Sequence, residues 1–340
     1  WNYCVHCERM EVLLLMQTMD SENLISAEII ADTYCEFTDE RVTTMEVTMH
    51  RFVLAEFNTH RVFSRNSASS RAIPVSKQLD KVVNSPAWPI TWPSEKPGMQ
   101  GGTELEDVNL SEAQELFEKI HDFTTTAIDR YLFDHREASD RLHKSLLNRL
   151  LEPFMWHKVI VTSTEWQNFF RQRSSTYTKL AQPEIMVAAD EMLIALETSD
   201  PFIIDSSIME SSNLTPDKWH LPYVDPNARK FASKVWDETG LPDIYTLAAI
   251  SAARCCRVSY LTHGGDNDPA DDVRLYNDLM SASPRHYSPL EHPCLASRYS
   301  EVPAGNLSGF VQMRHSHNIS GITFEAFGGM KNDGENEATS

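Results

Sequence analysis

The most informative stretch of the chain is Thr59-His60-Arg61-Val62-Phe63-Ser64-Arg65-Asn66-Ser67-Ala68-Ser69-Ser70-Arg71. It places three arginines, a histidine, four serines and an asparagine within 13 residues. Guanidinium groups bind phosphate through paired hydrogen bonds, and hydroxyls and backbone amides add neutral donors. A solvated polar loop is the ordinary explanation of such a stretch. Because the flanking segments 52–57 and 72–74 are mostly apolar, we instead expect a loop that lies against a core and binds a phosphate or nucleotide.

Two further arginine-bearing segments lie downstream. They are Asn148-Arg149-Leu150-Leu151-Glu152-Pro153 and Trp166-Gln167-Asn168-Phe169-Phe170-Arg171-Gln172-Arg173, and the second is followed by Ala181-Gln182-Pro183-Glu184-Ile185. Arginines beside aromatic residues in apolar segments are candidates for a site. Structural ion pairs, such as Arg149 with Glu152, are the alternative.

Composition limits the possible classes of protein. With 340 residues, of which 41% are hydrophobic and 23% charged, the chain has the profile of a soluble globular protein with one large or two medium domains. A net charge of -19 argues against a stable nucleic-acid partner, because such binding needs a basic face. No apolar run approaches the ~18 residues of a membrane span. The six cysteines suggest no disulfide framework, so we expect a reducing, cytoplasmic location without a membrane partner.

The pattern of apolar and turn-forming residues predicts an α+β fold, with helices flanking a central, mostly antiparallel sheet. We expect one or two strands before Arg51, a loop at 64–70, an irregular connection at 84–102 and a short strand at 159–161. Helices are expected from Ser111 onward and at 138–151, 183–196, 247–256 and 271–280. The predicted organisation is an N-terminal extension of uncertain role (1–26), one catalytic domain (27–330) and a disordered tail (331–340). The domain divides into 27–200, a loop-rich connection (201–243) and 244–330.

Together these segments resemble the flavin-dependent thymidylate synthases (ThyX). The family signature is Arg-His-Arg, two residues, Ser, one residue, Asn-Glu, one residue, Ser, one residue, Arg-Tyr. This sequence matches it without a gap at His60, Arg61, Ser64, Asn66, Ser69 and Arg71, and differs at Thr59, Ser67 and Ala72. Later family features are matched by Arg149 before Pro153, Asn168-Phe169-Phe170, Arg173 and Ala181-Gln182-Pro183-Glu184-Ile185.

A segment that comes early in the family stands late in this chain. It is matched by Cys256-Arg257-Val258-Ser259-Tyr260 and by His286-Tyr287-Ser288-Pro289-Leu290-Glu291-His292. The resemblance therefore implies a ThyX-like fold with a circularly permuted segment order, as in divergent phage-type members. Such a permutation is physically easy when chain ends lie close together at the surface.

The resemblance implies reductive methylation of dUMP to dTMP. In the family, FAD delivers the hydride, methylenetetrahydrofolate supplies the carbon and NADPH reduces the flavin. Members are homotetramers whose active sites combine subunits, and a phage-encoded member would act in the host cytoplasm. This chain would then be a methyltransferase of nucleotide biosynthesis.

Site residues follow from the same resemblance, position by position. Arg173 would be catalytic, stabilising the negative charge that develops on the uracil ring. Contacts with the nucleotide would come from Glu56, Ser67, Ser69, Ser70, Arg71, Arg149 and Arg173. Contacts with FAD would come from Thr59, His60, Arg61, Asn168, Ser259, His286 and Ser288. No metal site is expected.

Departures from the family keep other activities open. Glu56 stands where the family has a nucleotide-contacting glutamine, and a carboxylate near an anionic nucleotide is unfavourable unless it is paired. Ring recognition could therefore differ, so a folate-dependent hydroxymethylase acting on dUMP or dCMP is the first alternative. A non-catalytic nucleotide-binding homologue is the second. Weaker candidates are a Cys294 nucleophile, a zinc site beginning at Cys4 and Cys7, and metal ligation by His286 and His292.

Overall fold

Two long antiparallel strands form the centre of the structure. β1 (Ser26–Cys35) and β2 (Glu40–His50) are joined by a short turn and pair along nearly their whole length, with a bulge near Ile29. Their β-branched residues suit an extended, half-buried backbone. The computed structural model describes residues 25–211, 215–262, 268–297 and 305–316. The N-terminal extension up to residue 24 and the expected disordered tail lie outside these residues.

The main sheet has five strands in the order β3-β4-β2-β1-β5. β4 (Trp156–Ser163) pairs with β2, β3 (Ser64–Ser67) pairs with β4, and both pairings are antiparallel. β5 (Phe202–Ile204) pairs with β1 in parallel. The α+β prediction, with a mostly antiparallel sheet, is therefore confirmed, whereas the permuted segment order stays a prediction.

Strand β3 corrects the expected loop at 64–70. Its sequence is entirely polar, but its backbone completes the edge of the sheet on β4, and Ser64 and Asn66 are buried. A pattern based on apolar residues cannot detect a strand whose buried positions are a hydroxyl and an amide. The segment from Ala68 onward does turn away from the sheet.

Helices flank the sheet. They are α1 (Leu54–Asn58), α2 (Val75–Asn84), α3 (Asp107–Asp134), α4 (Lys144–Leu150), α5 (Gln167–Arg173), α6 (Pro183–Thr198), α7 (Ser206–Glu210), α8 (Pro226–Thr239), α9 (Asp243–Arg257), α10 (Pro269–Ser281) and α11 (Met313–Ser316). A second sheet contains β6 (Trp219–His220), β7 (Cys294–Ala296) and β8 (Phe310–Gln312). Helices α6, α9 and α10 lie where the sequence predicts them, and α6, α8 and α10 begin with proline, which suits a first helical turn.

Three boundaries differ from the prediction. Helix α3 begins at Asp107 rather than Ser111, and α4 covers only the end of the expected 138–151 helix. The range 201–243 contains β5, α7, β6 and α8, which is more regular structure than its prolines indicate. Pro226 begins α8 and Pro216 begins a 3₁₀ turn, so these two prolines mislead a loop prediction.

The core lies where α6 packs on β1 and β2. Aromatic residues of two segments meet beside it, with Phe57, Phe63, Trp166 and Phe169 all buried. A separate apolar cluster surrounds α9, which is buried along most of its length. None of the described helices combines the length and apolar character that a membrane crossing requires.

Candidate functional site

The histidine and the last arginine of the predicted site are in contact. His60 follows α1, Arg173 ends α5, and the Arg173 Nε donates to His60 Nε2 over 3.2 Å. The imidazole also packs edge-on against Phe169, with ring centres 4.9 Å apart. Burial, followed by the charges of Arg173 and Arg65, lowers the pKa of His60 to about 4. His60 is therefore a neutral hydrogen-bond acceptor at pH 7 and orients the guanidinium.

An open pocket of ≈ 580 Å³ adjoins this pair, and we call it the α5 pocket. Its lining comes from the segment after α1 and from α5: Thr59, His60, Arg61, Val62, Glu165, Asn168, Phe169 and Gln172. The volume falls in the ~300–1,000 Å³ range of small-molecule sites. Arg61, Asn168 and Gln172 provide donors, Val62 and Phe169 provide apolar surface, and Glu165 is its one carboxylate. This lining therefore offers hydrogen-bond donors, one cation and apolar surface to a small-molecule ligand.

A second group of predicted residues surrounds the turn after β3. Ser69 donates its backbone N–H to the Ser259 carbonyl at 3.0 Å. Asn148, which the sequence did not single out by itself, donates its side-chain amide to the carbonyls of Ser70 (2.8 Å) and Ile73 (2.9 Å). The neighbouring Arg149 is exposed and lies 3.5 Å from Glu152, as the ion-pair alternative expects. The turn 69–73 is thus fixed on α4, with Arg71 exposed on it.

The two groups lie at opposite ends of the sheet edge. Helix α4 precedes β4 and α5 follows it, and the eight residues of β4 span about 26 Å at ~3.3 Å per residue. Arg149 therefore belongs to the group at the start of β4, and Arg173 to the group beyond its end. The structure brings together Thr59, His60, Arg61, Asn168 and Arg173, and separately Ser69, Ser70, Arg149 and Ser259.

The late segment at 286–292 lies beside β3. Its 3₁₀ turn, Ser288–Glu291, packs on that strand, while His286 and Ser288 are exposed. Gln312 ties the two together by donating to the Ser64 hydroxyl at 2.7 Å and to the Glu291 carbonyl at 2.8 Å. Residues from the late segment thus lie along the strand between the two groups.

A buried polar network joins the two sheets, and no pattern in the sequence indicates it. His220 bonds through Nδ1 to Thr33 (2.9 Å) and through Nε2 to Thr44 (2.7 Å). Thr44 bonds to Thr162 at 2.6 Å, and Thr162 bonds to His292 Nδ1 at 2.8 Å. We call these five residues the Thr–His network. Its members come from five separate elements, so no local spacing could have revealed it.

The environment of His292 differs from that of a metal ligand. The side chain is fully buried, and burial, with a smaller effect of His220, lowers its pKa to about 3. The described residues contain no group of three His, Cys, Asp or Glu side chains placed to hold a metal ion. Cys4 and Cys7 lie outside the described residues.

Two other candidates have contrasting surroundings. Cys294 is fully buried, and burial raises the pKa of its thiol, which opposes formation of the thiolate that a nucleophile needs. Glu56 has a buried Oε2 atom with no hydrogen-bond partner in the described part of the chain. Of these two residues, only Glu56 has an acceptor oxygen that no described residue already uses in a hydrogen bond.

Another arginine of the late segment is structural. Arg257 of α9 bonds to Asp272 of α10 at 2.7 Å, and Arg254 bonds to the other oxygen of the same carboxylate at 2.7 Å. Asp272 is fully buried, so both cations compensate its charge. Arg257, which the resemblance matches to the family, therefore stabilises the contact between α9 and α10.

Comparisons with known proteins find only distant similarity. No protein-family model matches the chain, and no curated protein matches it. Two structures of the UMP/dUMP methylase PolB from Streptomyces cacaoi resemble it over about half its length. The one bound to 5-Br UMP has a TM-score of 0.41 and 14% identity, covering 51% of this chain and 89% of its own. The one bound to 5-Br dUMP has a TM-score of 0.39 and 13% identity, covering 51% and 90%. At these values neither structure informs the fold or activity of this chain.

Proposed function

We propose that this chain is a pyrimidine-nucleotide-modifying enzyme of the flavin-dependent thymidylate synthase type. It would convert dUMP to dTMP with FAD as cofactor, and with methylenetetrahydrofolate and NADPH as co-substrates. The α5 pocket is the observation that carries this proposal. Four residues that the resemblance assigns to FAD line it, namely Thr59, His60, Arg61 and Asn168. They come from two segments of the chain, the one after α1 and helix α5. The hydrogen bond between His60 and Arg173, which are 113 residues apart in the sequence, joins these two segments.

Arg173 would supply the electrostatic part of catalysis. Its Nε is held by His60, a lining residue of the α5 pocket, and its terminal nitrogens would bind the substrate. Because His60 is a neutral acceptor and not a carboxylate, this hydrogen bond leaves the positive charge of the guanidinium uncompensated, and that charge would stabilise the negative charge that develops on the pyrimidine. A flavin bound in the pocket would supply hydride-transfer chemistry. Arg61 and Asn168 would bind and orient it.

A complete site would need two copies of the chain. The Ser69–Arg149 group and the Arg173 group lie at opposite ends of β4. We infer that one nucleotide would contact both groups through two neighbouring chains. Exposed faces suitable for such an assembly exist. Helix α3 exposes Leu116, Ile120 and Phe123 among acidic residues, while α4 exposes Leu146 and Leu150 beside Lys144 and Arg149. Apolar faces flanked by opposite charges are complementary, and this supports a homo-oligomer, for which the resemblance implies a tetramer.

Flavin binding is the first test. We expect protein that is yellow as purified or that takes up added FAD, measured by flavin absorbance and fluorescence quenching. Arg61→Ala should weaken FAD binding at least tenfold by removing a charged donor from the pocket, which corresponds to about 1.4 kcal/mol or more. Arg171→Ala, an exposed change on the same helix as Asn168 but outside the pocket lining, is the matched control. Protein that binds no flavin under either condition would refute the proposal.

Assembly is tested separately by light scattering after size exclusion. Phe123→Asp places a charge on the apolar face of α3 and should lower the molecular mass of the particle. Met99→Asp changes a still more exposed apolar residue outside both faces and should leave the mass unchanged. A wild-type chain that is monomeric at working concentrations would contradict the two-copy site without affecting the flavin test.

Glu56 favours one alternative activity. Its unpartnered carboxylate oxygen could accept a hydrogen bond from the amino group of cytosine, which uracil lacks. A hydroxymethylase acting on dCMP is therefore the second candidate. Mass spectrometry of dUMP and dCMP after incubation with FAD, methylenetetrahydrofolate and NADPH distinguishes methyl from hydroxymethyl products. A modified dCMP would replace the dUMP proposal.

A further inference from the structure

A second, smaller cavity of ≈ 50 Å³ adjoins the turn after β3. Residues from four places line it: Arg51 after β2, Ser70 in the turn, Lys81 and Ser85 at the end of α2, and Trp156 and Lys158 of β4. We call it the Ser85 cavity. It shares no lining residue with the α5 pocket.

The charge of this lining is opposite to that of the protein as a whole. The chain carries a net charge of -19, yet three cationic side chains and no carboxylate line the cavity. Arg51 pairs with Glu152 at 3.0 Å and Lys158 with Glu46 at 2.6 Å, and both carboxylates lie outside the lining. Lys81 pairs with no carboxylate in the described ranges. The exposed Lys81 therefore adds to the lining a positive charge that no described carboxylate compensates.

Two buried donors also lack partners here. The Ser85 hydroxyl and the Trp156 indole N–H are buried and make no hydrogen bond within the described structure. Ser85 is only 7% exposed, so bulk water does not satisfy its hydroxyl. Buried polar groups in proteins are nearly always paired, and an indole N–H can only donate. Both residues line the cavity, so an acceptor bound there would be close to two unpartnered donors.

We propose that the Ser85 cavity binds one small oxyanion, a phosphate group or an ion of similar chemistry. A phosphate offers several acceptor oxygens and negative charge, which matches unpartnered donors beside an uncompensated cation. The volume has room for a few water molecules or one such group. If the phosphate belongs to a larger ligand, the rest of that ligand would lie outside the cavity, next to the exposed Lys81. The phosphate can therefore be free or can belong to a nucleotide, and neither case depends on flavin binding.

Calorimetric titration of the full chain with inorganic phosphate, in a buffer free of phosphate and sulfate, tests the site. We expect saturable binding. Lys81→Gln and Ser85→Ala should each weaken it by about tenfold, because each removes a hydrogen bond to a charged ligand. Lys77→Gln removes an exposed lysine from the same helix outside the cavity and should leave the affinity unchanged. Circular dichroism melts establish that each variant is folded.

Titrations with dUMP and with uridine distinguish the two sources of the phosphate group. If Lys81→Gln lowers the affinity for dUMP and for inorganic phosphate in parallel while uridine does not bind, the cavity holds the phosphate of a nucleotide. If the variant lowers only the affinity for inorganic phosphate, the ligand is the free anion. The proposal is overturned if wild-type protein binds neither, if both cavity variants bind like wild type, or if Lys77→Gln weakens binding equally. The titrations with inorganic phosphate use neither flavin nor nucleotide, so their outcome is independent of the proposed function.

Discussion

The α5 pocket and the Thr–His network are both built around histidines, but their chemistry is opposite. His60 lies between two arginines at the wall of an open pocket, so its single hydrogen bond holds a cation beside solvent. His220 and His292 contact hydroxyls and have no exposed surface. The first arrangement presents charge to a ligand, whereas the second joins strands. A histidine near a conspicuous motif therefore indicates a site only when its neighbours leave room for a ligand.

The largest expected effect is acid unfolding driven by the Thr–His network. Burial lowers the pKa of both His220 and His292 to about 3 from a usual 6.5. Between pH 6.5 and pH 3 the unfolded chain takes up protons that the folded network excludes. The free energy of unfolding should therefore fall with falling pH by about 1.4 kcal/mol per pH unit for each histidine, and these residues contribute no dependence above that window.

Urea titrations at several pH values measure this slope. His292→Gln removes one titrating group and should flatten the slope between pH 6.5 and pH 3. His143→Asn, an exposed change that keeps a helix-capping residue, should not. A wild-type stability that is constant through that range would contradict the neutral, buried state of the network.

Arg173→Ala should have the next largest effect, and on turnover alone. Loss of a charged group aimed at developing negative charge typically costs about 10²–10³-fold in kcat. Stability should change little, because the guanidinium is part-buried and makes one hydrogen bond in the described structure, to His60. The measurements are product formation from dUMP and the thermal midpoint, with Arg171→Ala as control. Near-normal turnover would remove Arg173 from the catalytic role.

Thr162→Val should have the reverse effect, because it should change stability and not the α5 pocket. It keeps the shape of a buried β4 residue but leaves His292 Nδ1 and the Thr44 hydroxyl without this partner. We expect a loss of about 1–3 kcal/mol in the free energy of unfolding and unchanged flavin binding. Thr126→Val on the exposed face of α3 should be nearly neutral in the same denaturation experiment. A neutral result at Thr162 would mean that the network contributes nothing to stability.

His60→Gln should have the smallest effect. Glutamine retains an acceptor for the Arg173 Nε, so the free energy of unfolding should change by less than about 1 kcal/mol. The assay is urea denaturation beside His292→Gln, which should be clearly more destabilising at pH 7. Equal losses of stability in the two variants would mean that His60 and His292 contribute alike to folding, contrary to the comparison of the pocket with the network.

Helices could be predicted from the sequence where the spacing of apolar residues and the residues at the helix start indicate the same helix. Helices α6 and α10 carry an initial proline and regular apolar spacing, and both were expected within a few residues. Helix α3 shows the limit of this approach. Its apolar series at Leu116, Ile120 and Phe123 faces solvent, while His121, Thr125 and Ile128 face the core. Periodicity identifies a face, but the neighbouring elements decide which face is covered.

The sequence alone determined the α+β class, several of the longer helices, the collection of arginines in three segments of an acidic chain, and the nucleotide chemistry that those segments suggest. These properties depend on residue types and on spacings of a few positions. Only the tertiary structure decided that Arg173 contacts His60, that Thr44 bonds to His220, and that Thr162 bonds to His292. Such contacts join residues more than 100 positions apart, and the free energy of burial and pairing that selects them exists only in the folded chain.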